Sequence, residues 1–557
     1  MILSFEFHYN ANNGVLENLL QCICEDFVIV YAIKRTGVLV RLDVQASQEQ
    51  LMDFSDFLAQ RLPLSVFFNA SIVQGVLQMQ EHTQIEKCNL VLPFTPKTLQ
   101  NAQGNPFFAN EIGINPYEKV ERLLLRDKVG KTLAKADDTT SFESLFENVA
   151  TLLDAGKSVA ICSASGDFVY TKVDVSTKKR VGQLDDILAT DLSVVEKMVV
   201  IYDNEIKALA SLEKPSLRLR LNSLYEAKEI LQTTRVNLSL PKDMVIYLLC
   251  VALMNRGIGF LAMEHLGGEN FDVQLRCDGI ITKIPQLCVS VLENGVIIIR
   301  DGDGYANANL KENLKKFEHR AYAQFSSILQ EHNLFAQPSI CFYHSKTHDD
   351  MIMHFNDAIG LVELVKFSIQ FSNIQEIFDA ISSSATGKKM VANYKEQFAS
   401  IYANAANTQL HALPQNIYSM WGVLAVILGI AQSVEQGSMA VMENAEDFGG
   451  DRGPRIDYFR NDENALLSQF NFVAFVRSAM SFKLAGAQKM VLSFGIVEAM
   501  SFFIGDLSDY FVQKLNAKDI LLAGSLFGSK RFTTLTCKNV GANHQIRFNK
   551  ELPIDCP

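Results

Sequence analysis

The chain has 557 residues, too many for one core, so two to four domains are expected from length alone. A content of 48% hydrophobic and 20% charged residues is that of an ordinary folded protein, and the net charge of -11 argues against a broad nucleic-acid-binding surface. The 10 cysteines include no Cys-x2-Cys pair, which argues against zinc ribbons and thioredoxin-like redox pairs and fits a reducing compartment.

The chain opens Met1-Ile-Leu-Ser-Phe-Glu-Phe-His8, without the basic region and long apolar core of a signal peptide. Residues 1–85 read as a small α/β unit. Leu3 to Phe7 alternates like a half-buried strand, and Val15 to Cys24 is a helix. Phe27 to Ile33 and Val38 to Val44 form a hairpin, Gln48 to Arg61 is amphipathic, and Val66 to Phe68 and Ile72 to Val73 follow as strand material. The order βαββαβ is the ferredoxin-like plan. Residues 86–130, broken by Pro96, Pro106 and Pro116, read as a connector.

Residues 131–283 read as a second α/β domain. Phe142 to Leu153 is a helix with Gly156 past its end, Ser158 to Cys162 a buried strand, and Lys242 to Met254 an apolar helix. Residues 284–557 begin with strands at Leu287–Leu292 and Val296–Arg300. A helix-rich body follows from Leu310 to Phe511, then a late strand at Ile520–Ala523. The apolar runs near 245–253 and 423–431 are short of a membrane span, so the chain reads as soluble and cytoplasmic, with no membrane segment.

Within the last region, Ser339 to His354 is the most informative stretch. It runs from a short apolar segment into His344 and His348, four residues apart. A helix starting near Ser345 would put both imidazoles on one face. Such a pair can give two nitrogen ligands to one divalent metal, Fe or Zn. The spacing equally fits two histidines that share no ligand, and no third ligand lies nearby in sequence.

Several stretches, taken in order, resemble the HypF-type carbamoyltransferases of NiFe-hydrogenase maturation. Thr36 to Arg41 and Leu51 to Pro63 resemble an acylphosphatase strand and helix, and Phe142 to Val169, Asp191 to Glu196 and Leu275 to Asp278 resemble a YrdC-like domain. Arg300 to Gly304, Cys341 to His348, Ser419 to Gly429, Glu435 to Glu443 and Asp519 to Phe527 resemble parts of a TsaD-like (Kae-type) domain. The resemblance implies an α/β and α+β chain of several domains. These are a ferredoxin-like acylphosphatase-like domain over 1–85, a connector over 86–130 in place of a zinc-finger segment, a YrdC-like domain over 131–283, and an ASKHA-type TsaD-like domain of two related lobes over 284–557. It implies metal ligands at His344 and His348, with Asp555 either a third ligand or part of a disordered tail. It also implies nucleotide contacts at Gly524, Ser525, Glu435 and Glu443.

The departures from that pattern matter as much. The loop at Asn13-Gly-Val-Leu16 supplies no arginine, and Ile33 stands where the acylphosphatase asparagine would be. Cys162 replaces a nucleotide-contacting lysine, and Ser163-Ala-Ser-Gly166 has lost glycines that a phosphate cradle needs. Lys172, Lys178, Lys179 and Arg180 could substitute for the missing cation, or could form a solvated basic loop. The family's Arg-Leu-Phe-Asp reads Ser419-Met-Trp-Gly422, without its acid, and Cys556 reads as an exposed thiol without chemistry.

The resemblance with these losses implies a HypF-like hydrogenase maturation or accessory protein, degenerate in catalysis. Its expected partner is a HypE-like maturation protein or a hydrogenase subunit. An active carbamoyltransferase is the alternative, using ATP and carbamoyl phosphate to modify a partner thiol. A tRNA threonylcarbamoyl-transferase-like protein is a third reading, disfavoured by the acidic balance.

Overall fold

The computed structural model describes residues 1–85, 88, 90–95, 118–267, 270–462, 464 and 467–556. The chain forms two compact units, one of Met1–Val291 with Asp301–Asn307, the other of Leu292–Arg300 with Ala308–Pro557.

The first unit opens with the expected βαββαβ order: β1 (Ile2–Tyr9), α1 (Val15–Phe27), β2 (Val30–Thr36), β3 (Leu39–Gln45), α2 (Gln48–Arg61) and β4 (Phe68–Val76). The sheet runs β2-β3-β1-β4, with β3 and β4 both antiparallel to β1. Alternation along β1 turns Phe5 to the helices, where it meets Phe54 edge-on at 5.9 Å. Leu51, Phe54 and Leu58 form the buried stripe of α2, whose start is fixed by a capping box between Ser47 and Gln50. The β2–β3 turn needs a left-handed residue and has Gly37 at φ +61°.

A second sheet in the same unit is built from β5 (Glu118–Asp127), β6 (Thr132–Ala136), β7 (Val159–Ser163), β8 (Gly166–Lys172), β9 (Asp186–Ala189), β10 (Ser216–Leu221), β11 (Arg235–Ser239), β12 (Phe260–His265), β13 (Val273–Ile281) and β14 (Cys288–Val291). Its order is β14-β10-β11-β9-β12-β8-β7-β13-β5-β6. Helices α3 (Thr139–Asp154) and α4 (Met244–Met254) bury Phe142, Phe146 and Val149 with Val245, Leu249 and Leu253 in its core. Gly156, at φ +75°, ends α3 as expected. The connector expected over 86–130 ends earlier. Residues 118–127 are strand β5, paired antiparallel with β13. Most of the remaining connector lies outside the described residues. A buried carboxylate joins the two sheets' modules: Glu213 accepts from Ser65 Oγ at 2.6 Å and Val66 N–H at 3.0 Å.

The second unit centres on one seven-stranded sheet among the described residues. Its strands are β15 (Ser339–Tyr343), β16 (Met351–Asn356), β17 (Gly360–Lys366), β18 (Arg460–Asn461), β19 (Ser468–Phe470), β20 (Asp519–Ala523) and β21 (Gln545–Arg547), in the order β18-β19-β17-β16-β15-β20-β21. The helices that matter below are α5 (Arg320–His332), α6 (Ile417–Ile427), α7 (Val434–Asp447), α8 (Lys489–Leu515) and α9 (Lys530–Gly541). By length and composition α8 could cross a membrane, yet 72% of its most apolar window is buried in this fold. It is therefore a core helix, contributing Leu492, Ile496, Phe503, Ile504 and Phe511.

Candidate functional site

Strand β15 delivers His344 to the centre of the second unit, and the backbone N–H of His344 donates to Ala523 O at 2.9 Å beside β20. The helix expected from Ser345 does not form. Ser345 Oγ accepts the N–H groups of Thr347 and His348, both at 3.3 Å, and Asp350 Oδ1 accepts Ser345 N–H at 2.8 Å. These local bonds satisfy the backbone as a turn.

The two histidines therefore part. His344 is fully buried and Asp350 Oδ2 lies 2.9 Å from its Nδ1, while His348 lies on an exposed loop. Asp350 also accepts the N–H of Ile417 at 2.8 Å, at the start of α6. Burial pushes the Asp350 carboxyl up, against the pull of His344 and the two backbone N–H groups. The rings of Phe342, Phe367, Phe527 and Phe532 surround His344 at 5.6–6.4 Å between centroids. His344 Nε2 is buried against these rings without a partner. The described residues contain no group of three or more His, Cys, Asp or Glu able to hold a metal ion. The donor set around His344 therefore does not fit the expected Fe or Zn site.

Asp555, the expected third ligand, is committed elsewhere. Its carboxylate accepts from Arg320 Nε at 2.7 Å, Tyr343 OH at 2.9 Å, Ser525 N–H at 2.9 Å and Ser345 Oγ at 3.1 Å. The alternative of a disordered tail also fails, because residues 551–556 are buried along α5. Gln324 donates to Asn549 Oδ1 at 2.5 Å and accepts Cys556 N–H at 3.0 Å, while Glu331 accepts the N–H groups of Lys550 at 2.6 Å and Leu552 at 3.1 Å. Cys556 is 4% exposed, so the expected open thiol is an interior one.

The nucleotide candidates stand on two elements, the loop after β20 and helix α7. Gly524 sits at φ +100°, and a Cβ there would lie 2.2 Å from His344 O, so only glycine fits the close approach of the two loops. Ser525 Oγ accepts Lys346 N–H at 2.9 Å. Glu435 is exposed in the first turn of α7 and Glu443 is half-buried two turns on. Helices α6 and α7 cross closely through Gly422 and Gly437. A Cβ on Gly422 would lie 2.3 Å from Val434 O, and one on Gly437 2.6 Å from Ala425 Cβ. Where the resemblance would have an acid at 422, no side chain fits. Glu446, missed in the sequence, anchors the start of α9 by accepting from Ser529 Oγ at 2.9 Å and Lys530 N–H at 3.2 Å.

In the first unit, the loop over residues 163–166 is held by a carboxylate from within. Asp243, fully buried, accepts Ser163 Oγ–H at 2.7 Å and Ser165 N–H at 2.6 Å while capping α4 through Ile246 N–H at 2.8 Å. Lys283 bridges Ser163 O and Asp167, and Lys242, brought down to about 8 by burial, donates to Gln286. Three of the cations expected as substitutes have acidic partners: Lys172 pairs with Asp154 and Asp174, Lys178 with Glu229, and Arg180 with Asp272. The acylphosphatase-like loop does receive an arginine that the sequence reading overlooked. Arg35 reaches in from β2, but it binds the carbonyls of Tyr9 and Ala11 and the carboxylate of Glu17. That role follows from Glu17 in the first turn of α1, and strand register alone could not announce it.

No family model matches the chain. Protein HydE of Wolinella succinogenes is 20% identical over 525 residues, spanning 92% of this chain and 91% of its own length. Two solved structures share the fold over nearly their whole length. Full-length HypF in a phosphate- and nucleotide-bound form has a TM-score of 0.61 at 12% identity, covering 100% of this chain and 96% of that one. HypF of T. kodakarensis has a TM-score of 0.64 at 11% identity, covering 99% and 96%. The chain is similar to HypF in fold, with an acylphosphatase-like, a YrdC-like and a Kae-type part.

Proposed function

We propose that this chain is a cytoplasmic accessory protein of NiFe-hydrogenase maturation, with a HypF-like fold and degenerate transfer chemistry. One observation carries the reading. At three loops where a HypF-type enzyme would be expected to take an anion or a metal, this chain's own carboxylates already hold the donors: Glu17 on Arg35, Asp243 on Ser163 and Ser165, and Asp555 on Ser345 and Ser525. A buried donor that is already paired has no surplus with which to bind phosphate. The retained cores then serve a scaffold, which holds a HypE-like maturation protein or a hydrogenase subunit.

The second reading is an active carbamoyltransferase using ATP and carbamoyl phosphate, with Gly524, Ser525, Glu435 and Glu443 toward the nucleotide. The fold it shares with a nucleotide-bound HypF favours it. One experiment separates the two. The purified chain is incubated with a HypE-like partner, ATP and carbamoyl phosphate, then followed by co-elution and by the intact mass of the partner. The accessory reading expects co-elution with an unmodified partner thiol. Carbamoylation of that thiol would transfer the case to the second reading, and loss of co-elution would remove the first.

A further inference from the structure

Beside the turn between β7 and β8, the first unit buries an amine that is short of partners. Lys242 stands one residue before Asp243, the cap of α4, and is 5% exposed. Its Nζ donates to Gln286 Oε1 at 2.5 Å, and among the described residues it makes no other hydrogen bond and no ion pair. The other end of that carboxamide is taken, because Gln286 Nε2 donates to Ser165 O at 2.7 Å and Ile284 O at 3.3 Å. Asp243 offers the amine no ion pair, since its oxygens accept from Ser163 Oγ and from the N–H groups of Ser165 and Ile246. An ammonium here would bury a full charge with two of its three N–H groups unmet. The free amine fits better, and burial brings Lys242 down to about 8. About half of it is then free base at pH 8, where an ordinary lysine is below about 1%.

A second buried group at this place has no partner. Ser165 is 9% exposed, and its Oγ is shut off from solvent without a hydrogen bond. Ser165 and Lys242 meet on the two ends of the Gln286 carboxamide. Cys288, the first residue of β14, lies near enough to the amine to influence its proton. These groups supply donors, and the site lacks an acceptor for them.

We propose that Lys242 is a carbon dioxide site, where Nζ is converted reversibly to a carbamate whose oxygens accept from Ser165 Oγ. Burial selects this electrophile. Nucleotides and acyl phosphates carry several charges and would have to leave water entirely, whereas carbon dioxide is small and neutral. The Nζ lone pair attacks the carbon, one C=O π pair moves onto oxygen, and one Nζ proton leaves to the buffer. No other group departs, and nothing is oxidised or reduced. The remaining Nζ–H keeps its bond to Gln286 Oε1. The new carboxylate gives the Ser165 hydroxyl the acceptor it lacks, and Lys283, held on Ser163 O at 2.8 Å, brings a cation to the same turn.

Carbon-13 NMR of the full chain, equilibrated with labelled bicarbonate at about pH 8, reads the carbamate carbon. Trapping by alkylation and peptide mapping then locates it. The expected result is a carbamate on the peptide that contains Lys242, lost in Lys242→Arg. Ser165→Ala should weaken it about tenfold, because a hydrogen bond to a charged oxygen is removed. Lys128→Arg, on an exposed turn, should leave it unchanged. Circular dichroism and thermal unfolding check that the variants fold, and mapping of the parent chain decides the point if Lys242→Arg does not. A parent chain without carbamate at Lys242, a label confined to the N-terminal amine or to other lysines, or a Lys242 carbamate indifferent to S165A would each overturn the proposal.

Discussion

At the residue scale, His344 and His348 share a sequence spacing and nothing else. His344 fills a fully buried position and lies in hydrogen-bond contact with Asp350, whose carboxylate also ties Ser345 and Ile417. His344→Ala would leave that carboxylate buried without its imidazole and open a cavity among four phenylalanine rings. Such losses cost about 3–5 kcal/mol. His348 contributes a surface contact with Thr347, and its replacement by Ala should fall within about 0.5 kcal/mol of the parent. Chemical denaturation of the two single variants measures both. Metal analysis of the same samples should give equal contents for parent and variants. A metal lost in both variants alike would restore the paired-ligand reading.

At the element scale, α5 holds the 549–556 segment through Arg320, Gln324 and Glu331, which recur along one helical face. Neighbouring residues there titrate in opposite senses. Burial raises the Glu331 carboxyl from 4.5 to about 7, and it lowers His332, whose Nε2 lies 2.8 Å from Phe548 O, from 6.5 to about 4. A carboxyl raised on folding takes its proton first in the native state, so acidification from pH 7 toward 4.5 favours folding. A histidine lowered on folding takes its proton first in the unfolded state, so acidification from 6.5 toward 4 opposes it. The two nearly cancel in the parent between pH 4.5 and 6.5. Glu331→Gln should expose the histidine and lose stability as pH falls through that window. His332→Gln, which can still donate to Phe548 O, should instead gain stability. Denaturation midpoints at pH 7, 5.5 and 4.5 would show whether the two variants diverge in these directions.

Much of this architecture was legible in the sequence. The βαββαβ unit was readable because Leu3–Phe7 alternates and Gln48–Arg61 carries one apolar stripe, and those periods match the pleat and the helix. Strand β20 was readable as a short continuous apolar run, as a strand buried on both faces requires. The turn after His344 was not, because its shape depends on Asp350 and on Ser525 from a distant loop. Strand β5 hid behind the prolines before it, and the α6–α7 crossing showed only as a missing acid at Gly422. Contacts between distant segments set all three, and no local period encodes such contacts.

At the scale of the whole molecule, a carboxylate of the chain itself takes up the donors of a loop in modules with unrelated folds. Asp243 is the most telling. Its oxygens take a hydroxyl and two backbone N–H groups at 2.6–2.8 Å, so a phosphate would have to displace the cap of α4 as well as the loop. Displacing it would leave a buried carboxylate with no donors, at a cost of several kcal/mol. A ligand that binds the native state raises stability by about 2.7 kcal/mol when present at 100 times its dissociation constant. That would move a melting midpoint by several degrees in a domain of this size. About 1 mM Mg-ATP, alone or with carbamoyl phosphate, would therefore reveal any site with a dissociation constant near 10 µM. Scanning calorimetry of the full chain should show neither unit's transition shifted. A rise of several degrees in the unit containing Asp243 would mean that this cap yields to nucleotide, and the self-filled loop would then be a gate, with the accessory reading giving way to an active enzyme.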